Sequence, residues 1–285
     1  MNNSIILRCK QMLVGTAAGR WLEILREDRA LRQAMRSAPE KGSRMFQDRC
    51  GRILLAALCR PDRVFMDVGA HIGSIIASVR HRLPGVEIVA VEAVPEKAEW
   101  LKKKFPDVQI HNCAVGNAQG EAEFQVDLDR PGFSSLASDR KDRGNVRTIR
   151  VPIRRLDELY TGTKPVDLIK IDVEGMELPV LQGADALIAR CRPTVYFESG
   201  LEGGAAFGFT SEQLFDWFAQ HDYQIFVPNR VAHDGMPLAP DSFIEAHHYP
   251  QRALNYFAVA AERRLEVRDR ARLIFGVKPN PKSKA

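Results

Sequence analysis

Residues 63–92 read RVFMDVGAHIGSIIASVRHRLPGVEIVAVE, and this stretch decides the fold. A short apolar run stops at Gly69, which is typical of a buried parallel strand that leads into a tight turn. Isoleucine and valine side chains then recur at helical spacing as far as Pro84, and a second apolar run ends at Glu92. The stretch therefore predicts a strand, a glycine turn, a helix and a second strand, which together form a βαβ crossover.

The turn has the pattern D-x-G-x-x-x-G, and it indicates which ligand fits. A dinucleotide-binding fingerprint, G-x-G-x-x-G, would place a glycine where this chain has Asp67. A carboxylate there repels a pyrophosphate and attracts a ligand that carries an ammonium and a sulphonium group. S-adenosylmethionine is such a ligand, and we predict that Asp67, Gly69, Ala70, His71 and Gly73 bind it.

Two neighbouring strand ends extend this predicted site. Glu92 follows Asp67 by 25 residues and is placed to accept hydrogen bonds from the ribose hydroxyls. A third strand over 108–115 brings Asn112 and Cys113 to the same edge of the sheet, where we expect them to contact the adenine. The alternatives are an ordinary strand-to-helix turn, an Asn112 that only caps a turn, and an NAD-dependent oxidoreductase.

A fourth strand, over 166–173, carries the predicted catalytic residues at its carboxyl end. Charges inside so apolar a strand are costly unless they are paired. We predict that Asp172 receives or orients the proton of an acceptor hydroxyl, that Lys170 holds the carboxylate or the acceptor oxygen, and that Glu174 is a second partner. One alternative is a purely structural Lys170–carboxylate pair. The other is a Mg²⁺ ion bound by Asp172, Glu174 and Glu198, although the prediction adopted here contains no metal.

Composition sets broad limits on function. The net charge of +5 is modest and spread along the chain, so we expect no nucleic-acid partner. Five scattered cysteines without a C-x-x-C pair indicate reduced thiols in the cytoplasm and neither a disulfide framework nor a zinc site. The apolar stretches near the N-terminus are too short for a membrane-spanning helix, and a signal peptide is not expected.

These features, with several further motifs, resemble the FkbM family of S-adenosylmethionine-dependent methyltransferases over about residues 60 to 260. The motifs that carry the resemblance are FMDVGAHIGSIIAS, VEAVPE, HNCAVGNAQGEAEF, Ser134-Ser135-Leu136, the segment Arg155 to Leu159 and, above all, LIKIDVEGMELPVLQGA. The family commonly has asparagine where this chain has His71. The resemblance implies O-methylation of a hydroxyl on a sugar, glycan or natural product, so a small-molecule or glycan acceptor is the expected partner.

Pattern and resemblance together predict the fold and the domains. The fold is an α/β, Rossmann-like class I methyltransferase fold: a mostly parallel seven-stranded sheet with helices on both faces, an inserted β-hairpin after the third strand and an N-terminal helical extension. We expect an N-terminal helical extension over 1–60, a methyltransferase domain over 61–262 and a basic tail over 263–285. The extension either packs on the sheet or covers the substrate, and the polar hairpin tip over 129–145 is expected to order over the ligand.

Two alternatives to an O-methyltransferase stay open. One is a scaffold module that retains the nucleoside pocket without turnover. A pure binding module has little reason to keep the charges of Lys170, Asp172 and Glu174 buried, so that cluster favours an enzyme. The other is an RNA methyltransferase that uses the basic tail and the segment 140–155, where few aromatic residues are available to stack on bases.

Overall fold

The computed structural model describes residues 3–127, 146–200 and 204–278. Within these ranges the chain forms ten strands, and seven of them build one large sheet. The strands are β1 (Val64–Val68), β2 (Glu87–Val91), β3 (Gln109–His111), β4 (Ala114–Val115), β5 (Gly120–Asp127), β6 (Val146–Arg154), β7 (Val166–Ile171), β8 (Thr194–Glu198), β9 (Tyr223–Phe226) and β10 (Asn255–Ala260).

The large sheet has the strand order β3-β2-β1-β7-β8-β10-β9. Its pairs are parallel except those of β10, which runs antiparallel to both β8 and β9. The order reverses between β1 and β7, and the crevice outside the carboxyl ends of the strands at such a point is where open α/β sheets bind ligands. The predicted fold class is confirmed.

Helices cover both faces of this sheet. Those in the described ranges are α1 (Asn3–Leu13), α2 (Ala17–Ser37), α3 (Pro39–Leu58), α4 (Ser74–Arg82), α5 (Pro95–Lys104), α6 (Leu156–Leu159), α7 (Glu177–Gln182), α8 (Asp185–Cys191), α9 (Ser211–Gln220), α10 (Pro240–Glu245) and α11 (Arg264–Phe275). Along β1, Val64 and Met66 belong to one core and Phe65 to the other, because successive side chains of a strand point to opposite faces. The described residues contain no helix long and apolar enough to cross a lipid bilayer.

The N-terminal helices differ in how they pack. We expected two or three helices on the sheet, but among the side chains that the structure describes only those of α3 bury large apolar groups there, such as Leu54, Leu55 and Leu58. Helix α2 has no buried residue, because its inner positions carry Glu27 and Asp28, which form ion pairs with arginines of α3. It therefore lies as a second layer on α3.

The inserted hairpin is confirmed as β5 paired antiparallel with β6, and β4 joins β6 to complete a small three-stranded sheet. Its predicted tip over 129–145, with Ser134-Ser135-Leu136, lies outside the described residues. The single third strand that we predicted is wrong in one respect, since the chain leaves the large sheet after His111 and continues in the small sheet from Ala114.

The sequence after β7 also predicts a single helix over 178–189, whereas the chain forms two helices there, α7 and α8. A Cβ atom at Gly183 would lie 2.0 Å from the Gly116 carbonyl oxygen. The segment that returns from β4 therefore passes directly against the chain at the junction of the two helices, and a residue without a side chain is needed there.

Candidate active site

The turn after β1 is held in shape by its neighbours. Gly69 has φ +83°, and a Cβ atom there would lie 1.9 Å from the backbone oxygen of Asp172. Gly73 has φ +81° and lies against the rings of the α5 region, where a Cβ atom would be 2.5 Å from Phe105 Cε2. Both glycines are required by close packing of the protein on itself, so their presence does not by itself identify a ligand.

Glu92 closes this turn onto the end of β2. Its side chain is buried, Oε2 accepts the His71 backbone N–H at 2.8 Å, and Oε1 accepts that of Val94 at 2.9 Å. Burial raises the pKa of Glu92, while Lys97 and these two backbone bonds oppose the rise. Each carboxylate oxygen has two acceptor positions, so one remains on each oxygen for a ligand hydroxyl.

Asn112 lies behind Glu92. Its side-chain amide donates to the backbone oxygens of Glu92, at 2.9 Å, and of Ala93, at 3.0 Å. It thereby fixes the segment that follows β2. Cys113, in contrast, lines the cavity in front of the sheet, and burial raises the pKa of its thiol to about 11, so the thiol is neutral.

Lys170 lies at the centre of a buried ion cluster. Strand register pairs it with Asp67, and its Nζ donates to the Gly69 backbone oxygen at 2.7 Å and lies 3.3 Å from Asp67 Oδ1. Asp172 Oδ2 is 3.4 Å from the same nitrogen. Burial disfavours the ammonium, but the two carboxylates outweigh it and raise the pKa of Lys170. Lys170 therefore stays charged and cannot serve as a base.

Asp67 does not present a free negative charge to the cavity. It is 1% exposed, and the nearby Lys170 compensates it. Burial still raises its pKa despite that neighbour. The charge contrast drawn from the sequence assumed a carboxylate in front of the ligand, whereas the structure places Asp67 beneath the turn.

Three carboxyl groups meet at the ends of β7 and β8. One oxygen from each of Asp172, Glu174 and Glu198 lies within 4.8 Å of the others. The Asp172 side chain is 40% exposed, so a bound substrate can reach it. Burial works against its ionisation, but the Lys170 ammonium and a hydrogen bond from Glu198 hold the pKa of Asp172 below its usual range. Burial and the Asp172 charge raise the pKa of Glu198 to about 10, so the two groups share one proton at neutral pH.

The turn that presents Glu174 is braced from behind. Glu174 has φ +56° and Gly175 φ +108°, so both lie in the left-handed region. The buried Glu177 carboxylate accepts the backbone N–H groups of Val173 at 3.3 Å and Gly175 at 3.2 Å. Burial raises the pKa of Glu177 to about 7. Glu177 therefore supports the turn from behind and is not one of the three carboxyl groups that meet at the strand ends.

A cavity of about 560 Å³ joins these parts, within the range of roughly 300–1,000 Å³ that is usual for small-molecule sites. Of the residues predicted from the sequence, those on its wall are Gly69, Ala70, His71, Glu92, Cys113, Lys170, Asp172 and Glu174. Asp67, Gly73 and Asn112 do not line the cavity and lie behind its wall.

Helix α3 and strands β8 and β10 add wall residues that were not predicted from the sequence, namely Asp48, Arg52, Tyr196 and Asn255. The charged pair one helical turn apart in α3 was a detectable signal; Tyr196, inside an apolar strand, had none. A Cβ atom at Gly51 would lie 2.4 Å from the Tyr196 hydroxyl, so α3 approaches β8 closely. A second cavity of about 870 Å³ lies beside the first and shares Asp48, Arg52, His71, Ile72 and Ser74 with it.

His71 stands where the two cavities meet. Burial, with Lys97 and Lys170 nearby, lowers its pKa to about 4, so the imidazole is neutral. Its Nε2 is buried without a hydrogen-bond partner among the described residues, and a ligand in the cavity can supply one. The free acceptor positions of Glu92 and this unsatisfied nitrogen fit a polar nucleoside ligand.

Strand order, glycine turn and the carboxylate after β2 together define a Rossmann-like class I methyltransferase domain. Residues 67–225 match the model of the Methyltransferase FkbM domain, and the chain belongs to that family. The cofactor of the chain is accordingly S-adenosylmethionine.

Individual relatives are distant. Methyltransferase sdnD of Sordaria araneosa is 26% identical over 154 residues, which cover 42% of this chain and 60% of that protein. The 2-O-methyltransferase NoeI of Sinorhizobium fredii is 23% identical over 158 residues, which cover 50% of this chain and 65% of NoeI. The chain thus spans less than two thirds of the length of either relative. The crystal structure of methyltransferase FkbM from Methylobacillus flagellatus has a TM-score of 0.42 and 20% identity, covering 71% of this chain and 45% of that one.

Proposed function

We propose that this chain is a methyltransferase that transfers a methyl group from S-adenosylmethionine to a hydroxyl oxygen of a sugar, glycan or natural product. One observation carries the proposal: Glu92 and the ionised Asp172 line the same cavity, and Lys170, on the strand that leads to Asp172, keeps that carboxylate ionised. The printed name of NoeI, a 2-O-methyltransferase, supports oxygen as the acceptor atom.

Residues on one side of the cavity would hold the cofactor. Glu92 would accept the ribose hydroxyls, the chain from Gly69 to His71 would line the nucleoside, and Cys113 would contact the adenine. Asn112 and Asp67 would position these groups from behind. When bound, S-adenosylmethionine supplies an electrophilic methyl group attached to a sulphonium.

Asp172 would handle the acceptor proton. A carboxylate with a depressed pKa is a weak base, so it first orients the hydroxyl by accepting its hydrogen bond. It takes the proton as the oxygen–carbon bond forms, when that proton is most acidic. The acceptor oxygen would gain the methyl group as the sulphur–methyl bond breaks, a neutral thioether would leave, and the acceptor proton would go to Asp172, so atoms and charges balance.

The neighbours of Asp172 would keep it in the required state. Lys170 holds the carboxylate ionised from below, and the protonated Glu198 donates a hydrogen bond to it. Glu174 would face the acceptor as a second polar partner. Three carboxyl groups so close together also suit Mg²⁺, which would displace the proton of Glu198. The metal is the rival mechanism, and a chelator separates the two.

Cofactor choice is tested first, by calorimetry of the purified chain with S-adenosylmethionine, its demethylated product and NAD. We expect the first two to bind. Binding of NAD alone would replace the proposal with an oxidoreductase, and binding of S-adenosylmethionine without turnover on any acceptor would favour a scaffold.

The catalytic role is tested with methyl-labelled S-adenosylmethionine and a panel of hydroxylated sugars, glycans and natural products. Against an acceptor found in this way, Asp172→Asn should slow transfer by about 10²–10⁴-fold, the usual contribution of a positioned base, while cofactor affinity changes little. The matched control is Asp216→Asn, on the exposed face of α9. Transfer near the wild-type rate in Asp172→Asn would remove the assigned role. Loss of wild-type transfer with chelator, restored by Mg²⁺, would make the carboxylates a metal site.

A further inference from the structure

Exposed apolar side chains are concentrated on the N-terminal helices. Among the described residues, nine of the thirteen exposed large hydrophobic side chains lie on α1, α2 and α3. They are Met12, Leu13, Trp21, Leu22, Ile24, Leu25, Met35, Phe46 and Ile53. Single exposed apolar residues are ordinary on protein surfaces, but a group confined to one layer of the fold indicates an interaction surface.

The centre of this group is one face of α2. Trp21, Ile24 and Leu25 are 63%, 51% and 42% exposed. Their spacing of three and four residues places them side by side on the helix. We call the exposed face formed by Trp21, Ile24 and Leu25 the apolar patch.

Basic side chains continue the same face toward the end of α2. Arg29, Arg32 and Arg36 follow Leu25 at helical spacing, are exposed, and form no ion pair with any described residue. Two of the three acidic residues of α2, Glu27 and Asp28, are instead paired with α3. We call these three arginines the basic patch.

The charge of the whole chain is concentrated here as well. Helix α2 carries five arginines against three acidic residues, and α1 adds Arg8 and Lys10 without an acidic residue. Residues 3–37 therefore supply four of the five net positive charges. This exposed surface is thus apolar and aromatic at one end and strongly basic at the other.

Two occupants suit an apolar helix face, and the charge distinguishes them. A second copy of this chain would offer the basic patch no acidic surface from this region, because residues 3–37 carry seven basic and three acidic residues and two of the acidic ones are already paired with α3. A bilayer that contains anionic phospholipid attracts the basic patch and accepts the apolar patch at the level of its headgroups. We propose that α1 and α2 dock this protein on the surface of an anionic phospholipid membrane. This inference does not depend on the proposed methyl transfer.

The test is cosedimentation of the full chain with vesicles of phosphatidylcholine, alone or mixed with phosphatidylglycerol. We expect binding to the mixed vesicles that weakens as salt is added, since salt screens surface charge. Arg29→Glu/Arg32→Glu/Arg36→Glu should weaken binding about tenfold or more, because each basic residue near such a surface contributes to attraction. A second variant, Trp21→Gln/Ile24→Gln/Leu25→Gln, replaces the apolar patch with polar residues that favour helix formation. It should have a similar effect.

Matched controls exclude a general effect of charge or hydrophobicity. Leu273→Gln removes an apolar side chain that is 84% exposed on α11, and Arg82→Glu/Lys102→Glu/Lys103→Glu removes three exposed basic residues on α4 and α5. Leu273→Gln should bind vesicles like the wild type, and the second control should lose much less affinity than the basic-patch variant. Circular dichroism and S-adenosylmethionine affinity, measured on every variant, show whether it is folded.

Three outcomes would overturn the proposal. The first is no association with mixed vesicles at low salt. The second is association that neither patch variant weakens. The third is a dimer in sedimentation analysis, without vesicle binding, that the apolar-patch variant dissociates; a second copy would then be the occupant.

Discussion

The carboxyl edge of the large sheet holds buried carboxyl groups in two different ways. At the end of β2, Glu92 accepts two backbone N–H groups, so the main chain itself satisfies it. At the ends of β7 and β8, Asp172 and Glu198 depend on a lysine and on a proton that they share. A carboxylate bound by the main chain is a fixed acceptor, whereas one held by titratable neighbours can exchange a proton. Under the proposed function, the end of β2 would hold the cofactor, and the ends of β7 and β8 would carry the proton transfer.

The largest expected effect on stability comes from removing Lys170, on which the carboxyl groups at the end of β7 depend. Lys170→Met leaves Asp67, which is 1% exposed, without its compensating charge. We expect a loss of about 3–5 kcal/mol in the free energy of unfolding, measured by urea denaturation at neutral pH. The loss should shrink at lower pH as Asp67 takes up a proton.

The control for this change is Lys102→Met, an exposed lysine on α5, which should leave stability nearly unchanged. The double variant Asp67→Asn/Lys170→Met should recover a large part of the loss, because it removes both charges. If the single and double variants are equally unstable, the pairing of Asp67 with Lys170 is not what holds this part of the sheet edge together.

A second prediction tests the contact between the turn after β1 and the end of β7. Gly69 and Gly85 both have φ +83°, but a Cβ atom at Gly69 meets the Asp172 backbone oxygen, and one at Gly85 meets nothing within 4 Å. Gly85→Ala should cost about 1–2 kcal/mol from the left-handed backbone alone. Gly69→Ala should cost about 1–3 kcal/mol more, from overpacking. Equal losses in urea unfolding would show that the turn and the β7 end can move apart freely.

A third prediction concerns the end of β2, where the main chain holds the carboxylate. Glu92→Ala should weaken S-adenosylmethionine binding by about 1–3 kcal/mol, the usual cost of losing charged hydrogen bonds, as measured by calorimetry. Glu99→Ala, at an exposed position on α5, is the control and should bind normally. Glu92→Gln, which keeps one oxygen acceptor, serves if the alanine variant does not fold. Unchanged affinity in a folded Glu92 variant would remove this residue from the ribose.

The last prediction concerns the contribution of the shared-proton pair to the pH dependence of stability. The folded state binds a proton at Glu198 that the unfolded chain releases. The stability it contributes is therefore complete below the ordinary pKa of 4.5 and is lost as the pH rises toward the folded-state pKa of about 10. One proton limits the slope to about 1.4 kcal/mol per pH unit. Glu198→Gln, which imitates the neutral carboxyl group, should flatten the fall in stability between neutral and alkaline pH. An unchanged slope would mean that Glu198 is ionised at neutral pH.

Much of the fold could be predicted because it follows local pattern. Apolar runs, glycine turns and helical spacing predicted the order of the main strands and the inserted hairpin. The predictions of strand and helix bounds are wrong where a segment distant in sequence packs against the element. The third strand is divided after His111, and the helix after β7 breaks at Gly183 because the Gly116 carbonyl passes beside it. No local pattern carries information about such an approach.

The candidate active site, too, could be predicted from the sequence only in part. Residue types and spacing alone assigned Glu92, Cys113, Lys170, Asp172 and Glu174 to one edge of the sheet, since the carboxyl ends of parallel strands must lie together. Tertiary structure alone decided that Asp67 lies beneath the turn against Lys170, that Glu198 gives Asp172 a proton to share, and that α3 brings Asp48 and Arg52 to the cavity. The physical reason is that a sequence shows which groups can carry charge, whereas burial and the distance between charges, which exist only in the folded chain, decide how each charge is compensated.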